Sequence, residues 1–356
     1  MGVRLLLKIC LTWVWAAETL REGAVISKTV LTQGGMALFG IVLGLFLGKL
    51  AISGVELGKV AEAIDGWSMA VVPAAVLVVL LSSYLRGVRW SLLWTERRVS
   101  ALRLMVVENA ALGLNNISPV RFLDEGVELG ILTLRDRLPG SSVVATMMMC
   151  RIQDLAVTLV FIAMAVAILP ELWSFTPVLA ATVLFLGGWL VVLVTFDRVV
   201  RRFPLLQRIP GLLNFEAAVS ALWKQKSRLV VTLSMTLAYW LLLGPVGMLV
   251  AQGTQVHLPF HVLLVTVLGA LMFSTALPGL PGAVGTFEFA VVTMLGLWDI
   301  PKDQALSFAI VLHAVLFLPM TVFTVVVLPR EGLGSIRALR GILRHRQTTA
   351  AGPPSP

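Results

Sequence analysis

Between Phe273 and Ala290 the chain reads Phe-Ser-Thr-Ala-Leu-Pro-Gly-Leu-Pro-Gly-Ala-Val-Gly-Thr-Phe-Glu-Phe-Ala, an apolar segment broken by two Pro-Gly pairs and carrying one carboxylate, Glu288. Pro278-Gly279 and Pro281-Gly282 remove backbone donors and helical stiffness, so a helix has to break here. In hydrocarbon, non-helical backbone is tolerated only where protein buries it or where it lines a wet cavity. The break therefore predicts a protein-lined cavity, and the carboxylate just beyond it marks a candidate functional position.

The rest of the chain makes hydrocarbon the relevant solvent. Hydrophobic residues make up 58% and charged residues 13%, the mean hydropathy is +0.93, and ordinary soluble domains carry roughly 25% charge. The formal charge of +9 sits in a few inter-helix segments, as topology signals do, so nucleic acid is excluded as a partner. Cys10 and Cys150 stand in apolar contexts, and His257, His261, His313 and His345 are scattered, so no disulfide framework, metal site or cofactor is implied.

Read in order, residues 1–34 form a cytoplasmic or interfacial N-terminal segment, expected as an uncleaved amphipathic helix. A first span covers 36–52, where Gly40, Gly44 and Gly48 at four-residue spacing point to close helix packing. A second covers 67–85, and beyond it Arg86, Arg89, Arg97, Arg98 and Arg103 read as a cytoplasmic basic flank. Residues 104–119 are apolar but too short to cross, which suggests a re-entrant half-helix.

Spans follow at 141–169, with Arg151 and Asp154 inside it, at 177–196, at 229–251 and at 305–328. Three residues apart, Arg151 and Asp154 share a helix face and are expected to neutralise each other in part. The short helices 261–277 and 285–298 flank the central break. The polar stretch 197–228 is too short for a folded domain. A basic, partly disordered tail covers 331–356.

The reading is an all-α polytopic membrane helix bundle with about six full spans plus two pairs of short or re-entrant helices, about eight membrane helices in all, within 35–330. Loop parity and the basic segments place both termini on the cytoplasmic side of a cell (inner) membrane. Two breaks, one at Asn115, Asn116, Pro119 and Arg121 and one running from Pro278 to Glu288, form a matched pair of interrupted helices. Such a pair points to a transport site between two halves of a bundle.

The same residues carry a family resemblance. Asn115 and Asn116, then Pro119-Val-Arg121-Phe-Leu-Asp124, then Arg151-Ile-Gln-Asp154, and finally the Pro-Gly-Leu-Pro-Gly-Ala-Val-Gly-Thr-Phe-Glu run ending at Glu288 resemble the lysylphosphatidylglycerol synthase transmembrane family. The resemblance implies a flippase-like membrane domain, here without the soluble synthase domain of some relatives. Its most specific part is the stretch from Pro281 to Glu288. Leu123 and Val127 depart from the family pattern, because a second basic residue is missing after Arg121 while Asp124 fits.

Charge chemistry suggests roles. A planar guanidinium matches phosphate oxygens, which makes Arg121 and Arg151 candidates for an anionic headgroup; the competing reading is a topology flank for Arg121 and a structural partner of Asp154 for Arg151. Glu288 is expected to meet a cationic headgroup, a proton or Arg151. Asn115 and Asn116 either touch a headgroup or cap the broken helix, and Gly279, Gly282 and Gly285 shape the backbone.

The leading expectation is a flippase or scramblase for a polar-headgroup membrane lipid, and not an enzyme. No phosphate-binding Gly-x-x-x-x-Gly-Lys-Ser/Thr loop occurs, so direction would come from an ion gradient, a lipid sink or a partner. The alternative is an accessory or catalytic membrane subunit working with a lipid synthase or glycosyltransferase.

Overall fold

The structure, a computed structural model, describes residues 25–56, 58, 60, 71–95, 97–118, 123–202, 212–277 and 280–331. The expected N-terminal helix within 1–24, the tail from 332 onward, and Pro119, Arg121, Pro278 and Gly279 lie outside these. The regular structure of the described residues is helical, without a strand. In chain order the helices are α1 (Val25–Ile52), α2 (Val71–Leu93), α3 (Ala101–Ile117) and α4 (Leu123–Gly130), the last running on into a π-helical turn, Ile131–Arg135. Then come α5 (Gly140–Ile168), a 3₁₀ turn at Pro170–Phe175, α6 (Thr176–Arg202), α7 (Leu212–Trp223), α8 (Lys226–Leu241) and α9 (Leu243–Gly253). Last are α10 (Phe260–Ala276), a 3₁₀ turn at Pro281–Ala283, α11 (Thr286–Leu295), another such turn at Gly296–Trp298, and α12 (Lys302–Arg330).

Six helical stretches are long and apolar enough to cross a membrane, at 71–93, 140–168, 170–196, 226–253, 281–298 and 302–330. At 1.5 Å of rise per residue, a helix of about 20 residues already covers the roughly 30 Å hydrocarbon core. α6 shows what surrounds the bundle. Its main packing is on its chain neighbours, and Leu184 and Phe185 are 77% and 65% exposed, a wide apolar surface that suits lipid and not water.

Two boundaries differ from the sequence reading. α1 runs unbroken from Val25, so no break falls near residue 34. α2 continues to Leu93, which places Arg86 and Arg89 inside the helix and not on a flank beyond it; Arg89 is buried. Their charges are matched inside the bundle, so burial does not end the helix. The polar stretch 197–228 also contains α7, which packs on α5 and α6. The span read as 229–251 is two helices, α8 and α9. Pro245 has no N–H to offer Leu241, so the ladder breaks at Leu242.

α2, α3 and α12 form the centre of the bundle, where α3 lies against both of the others. α3 and α12 approach closely because Gly113 faces the α12 backbone: a Cβ there would stand 2.0 Å from the Met320 carbonyl oxygen. The Thr324 hydroxyl donates to the Ala110 carbonyl at 2.7 Å across the same seam. α8 is pinned to α2 by the Ser82 hydroxyl, 3.1 Å from the Tyr239 carbonyl, and to α5 by the Gln153 amide, 2.6 Å from Thr232 Oγ1.

At one end of the bundle the π-helical turn, the start of α3 and the end of α12 are clamped by charge. The Arg103 guanidinium donates to both Glu331 oxygens at 2.7 and 2.8 Å and to both Asp136 oxygens at 3.0 Å. Arg135 approaches Glu331 at 3.1 Å. These guanidiniums, Arg103 foremost, hold the Glu331 carboxyl below the ordinary carboxylate range.

Gly113→Ala is expected to cost about 1–3 kcal/mol by overpacking, read as a lower unfolding temperature in detergent. Gly188→Ala, at a helical glycine with open space around it, is expected to be neutral or to stabilise by up to about 1 kcal/mol. A carboxyl more acidic in the folded chain than in the unfolded one stabilises fully above the ordinary range and loses that contribution as pH falls through its folded value. Wild type is therefore expected to be more stable than Glu331→Gln at pH 7, with the gap in unfolding temperature closing below about pH 4.

Candidate functional site

α2, α3, α4 and α5 converge on a cluster of charged side chains that hydrocarbon alone would not accept. Arg86 and Arg89 stand three residues apart on α2 and so share one face. The Arg86 guanidinium pairs with Glu108 of α3 at 2.5 Å. Arg89 donates to Asp154 of α5 at 2.7 Å and to the hydroxyl of Thr236 of α8 at 3.3 Å. The Tyr239 hydroxyl also donates to Asp154, and the Arg89 guanidinium lies 5.1 Å from the centre of that tyrosine ring. Arg89 is 2% exposed, so this pairing is what makes its burial tolerable: an isolated charge at that depth costs several kcal/mol.

Arg151 of α5 stands at the mouth of the cluster with a side chain 50% exposed, and it reaches Glu125 of α4 at 3.3 Å and Asp124 at 3.9 Å. The expected pairing of Arg151 with Asp154 is not made; each is claimed by another element. Both pairs on α2 are short and enclosed, whereas those of Arg151 are long and open to solvent. Among the guanidiniums of the cluster in the described residues, Arg151 has the most exposed side chain and the longest ion pairs.

The second arrangement is the junction of the two breaks. α10 and α11 pack together as a hairpin whose tip holds the 3₁₀ turn, and α3 packs on that turn. Gly282 has φ +67°, and a Cβ on it would come within 3.3 Å of the Asn116 carbonyl oxygen. The two interrupted segments thus meet. The Asn116 side-chain amide ties this end of α3 to α12 through the Phe317 carbonyl and Thr321 Oγ1, both at 3.1 Å. Asn115 Oδ1 is buried without a partner.

Gly285, at φ +83°, would drive a Cβ to 2.2 Å from the Gly44 carbonyl oxygen, and Gly48 also abuts Gly285. The glycine spacing in α1 therefore serves close packing, against the hairpin tip. Glu288 closes the tip: its carboxylate accepts from the Gly285 N–H at 2.6 Å and meets His313 Nδ1 of α12 at 2.5 Å. It does not pair with Arg151. The His313 ring sits between Phe287 and Phe317, with ring centres 5.0 and 4.3 Å away.

Of the residues singled out from sequence, Arg151 and Asp154 belong to the charged cluster. Asn116, Gly282, Gly285 and Glu288 belong to the junction, and Pro281 opens its 3₁₀ turn. Sequence reasoning missed Arg86, Arg89, Glu108, Glu128, Tyr239 and His313. Glu108 left a usable signal, a lone carboxylate within an otherwise apolar stretch. Arg86 and Arg89 were masked by their nearness to surface arginines. Nothing in the local sequence links His313 to Glu288, 25 residues earlier.

The fold and this site define a polytopic helical membrane protein with a buried cluster of charged side chains beside paired broken helices. The family model for the lysylphosphatidylglycerol synthase TM region matches residues 37–323. The chain belongs to that family. No curated protein matches it at a significant level.

Asp154→Asn would leave Arg89 buried without a counter-charge and is expected to cost about 3–5 kcal/mol, read from thermal unfolding in detergent. Replacing both ends, Arg89→Met with Asp154→Leu, is expected to be milder than the single change, because no orphan charge remains.

Proposed function

We propose that this protein is a lipid flippase or scramblase, passing a polar headgroup along a protein-lined route while the acyl or isoprenoid chains stay in the bilayer. The half-exposed Arg151 guanidinium carries this reading. It sits at the edge of a charged cluster within membrane helices, held by two long ion pairs that a phosphate can replace. Arg presents a planar fork to phosphate oxygens, so the substrate class is an anionic headgroup: a phospholipid, its aminoacyl ester or a polyprenyl phosphate. Membership of a family named for a lipid synthase's membrane region supports a lipid-related role.

In this reading the junction of broken helices is the moving part, not the headgroup ligand. Glu288, bonded to Gly285 and His313, sets the hairpin tip, and Asn116 ties the other break to α12. The basic segments orient the protein with both termini on the cytoplasmic face of the cell membrane. No enzymatic step is assigned to the chain.

The test is headgroup translocation in liposomes holding the purified full chain, with labelled phosphatidylglycerol, its lysyl ester and a polyprenyl phosphate as separate substrates. Wild type is expected to accelerate at least one of them above protein-free vesicles. Arg151→Ala is expected to slow that lipid by about tenfold, corresponding to roughly 1.4 kcal/mol on the barrier, without loss of fold. If no lipid moves faster than in protein-free vesicles, intrinsic transport is wrong and a subunit role beside a membrane transferase takes its place.

A further inference from the structure

Inside the charged cluster, α2, α3, α4 and α5 enclose a cavity of about 20 Å³ lined by Arg89, Glu108, Glu128 and Asp154 among others. That is room for one water molecule and not for a lipid headgroup. Glu128 lines it and is 5% exposed, and no guanidinium of the described residues comes within ion-pair distance of it. Arg89 Nε, also buried, is unpartnered.

Among the described residues, the cationic groups around Glu128 are already committed to other carboxylates. α2 contributes Arg86 and Arg89, already paired with Glu108 and Asp154. α5 contributes Arg151, engaged by Asp124 and Glu125 from Glu128's own helix. Among the described residues, Glu128 is thus the fifth carboxylate set against three guanidiniums. Cys150 of α5 also lines the cavity, and Tyr239 of α8 is bonded to Asp154. Burial, with Glu108 as the next cause, pushes the Glu128 carboxyl well above the ordinary carboxylate range.

We propose that Glu128 is a proton-binding site, facing Glu108 across a water-sized cavity, and that proton uptake there accompanies binding of an anionic headgroup at Arg151. The linkage follows from charge. While Arg151 lies beside the α4 carboxylates, its field opposes a proton on Glu128. Once a phosphate neutralises that guanidinium, the pocket is more negative and the proton binds more tightly; reciprocally, a protonated Glu128 favours the anion. The proton comes from water at the Arg151 mouth, adds to one Glu128 oxygen, and leaves by the same O–H bond when the headgroup departs. One proton and one anionic headgroup therefore travel in the same direction. Proton binding stands on the cavity alone, while its coupling to lipid rests on the flippase reading above.

Two measurements on the full chain separate these claims. Infrared titration in detergent from pH 5 to 9 is expected to show a protonated-carboxyl band that Glu128→Gln removes and Glu331→Gln keeps. Glu108→Gln should move its midpoint to lower pH, because a negative neighbour is lost. That variant decides the matter if Glu128→Gln does not fold. A band unchanged in Glu128→Gln, or an unmoved midpoint in Glu108→Gln, overturns the proton site.

In phosphatidylglycerol vesicles with a gradient of one pH unit, wild type is expected to enrich labelled lipid in the leaflet on the alkaline side. One proton per lipid gives about tenfold, whereas Glu128→Gln should give equal leaflets. Wild-type translocation indifferent to the gradient overturns the coupling and leaves the flippase reading standing. Absence of translocation under all conditions overturns the flippase reading and the coupling together, while the infrared result still decides the proton site.

Discussion

A guanidinium buried among membrane helices has to be met by a carboxylate, and in this protein the Arg89–Asp154 pair is where that demand is answered. The two residues come from α2 and α5, and Tyr239 and Thr236 of α8 complete the shell. Three helices are therefore held in one register by a contact that hydrocarbon makes costly to open. Arg86 and Glu108 do the same for α2 and α3. With one face of α2 so committed to both partners, α3 is held in the middle of the bundle despite being too short to cross.

The position of α3 links the charged cluster to the broken helices. Glu108 and Asn116 lie on this one rigid helix, eight residues or about 12 Å apart. The middle of α3 therefore faces the ion pairs while its C-terminal end abuts the Gly282 backbone at the hairpin tip. Movement of the tip and rearrangement of the cluster share a mechanical element. The tip is held by small-residue contacts and two short hydrogen bonds at Glu288, and the cluster edge by the loose pairs of Arg151.

Much of this architecture was readable from residue order, and for identifiable reasons. Apolar run lengths report membrane crossing because the bilayer sets a fixed thickness, and Pro-Gly pairs report a break because they remove donors that no lipid can replace. The glycine spacing in α1 announced a close contact, although not with which partner. Arginine was the ambiguous signal. The same residue type marks a helix flank when solvated and a buried ion pair when matched, so Arg86 and Arg89 read as the first and proved to be the second.

Residue order alone determined the helical class, the break at the Pro-Gly pairs before Glu288, and the family to which the chain belongs, since each depends on local composition or on motifs along the chain. Partner choice was decided only by the packed structure. Arg151 turned from Asp154 to the α4 carboxylates, Glu288 found His313, and no described guanidinium pairs with Glu128. The physical reason is that a charge in a low-dielectric interior answers to whatever lies within a few ångströms, and helices distant in sequence supply those neighbours.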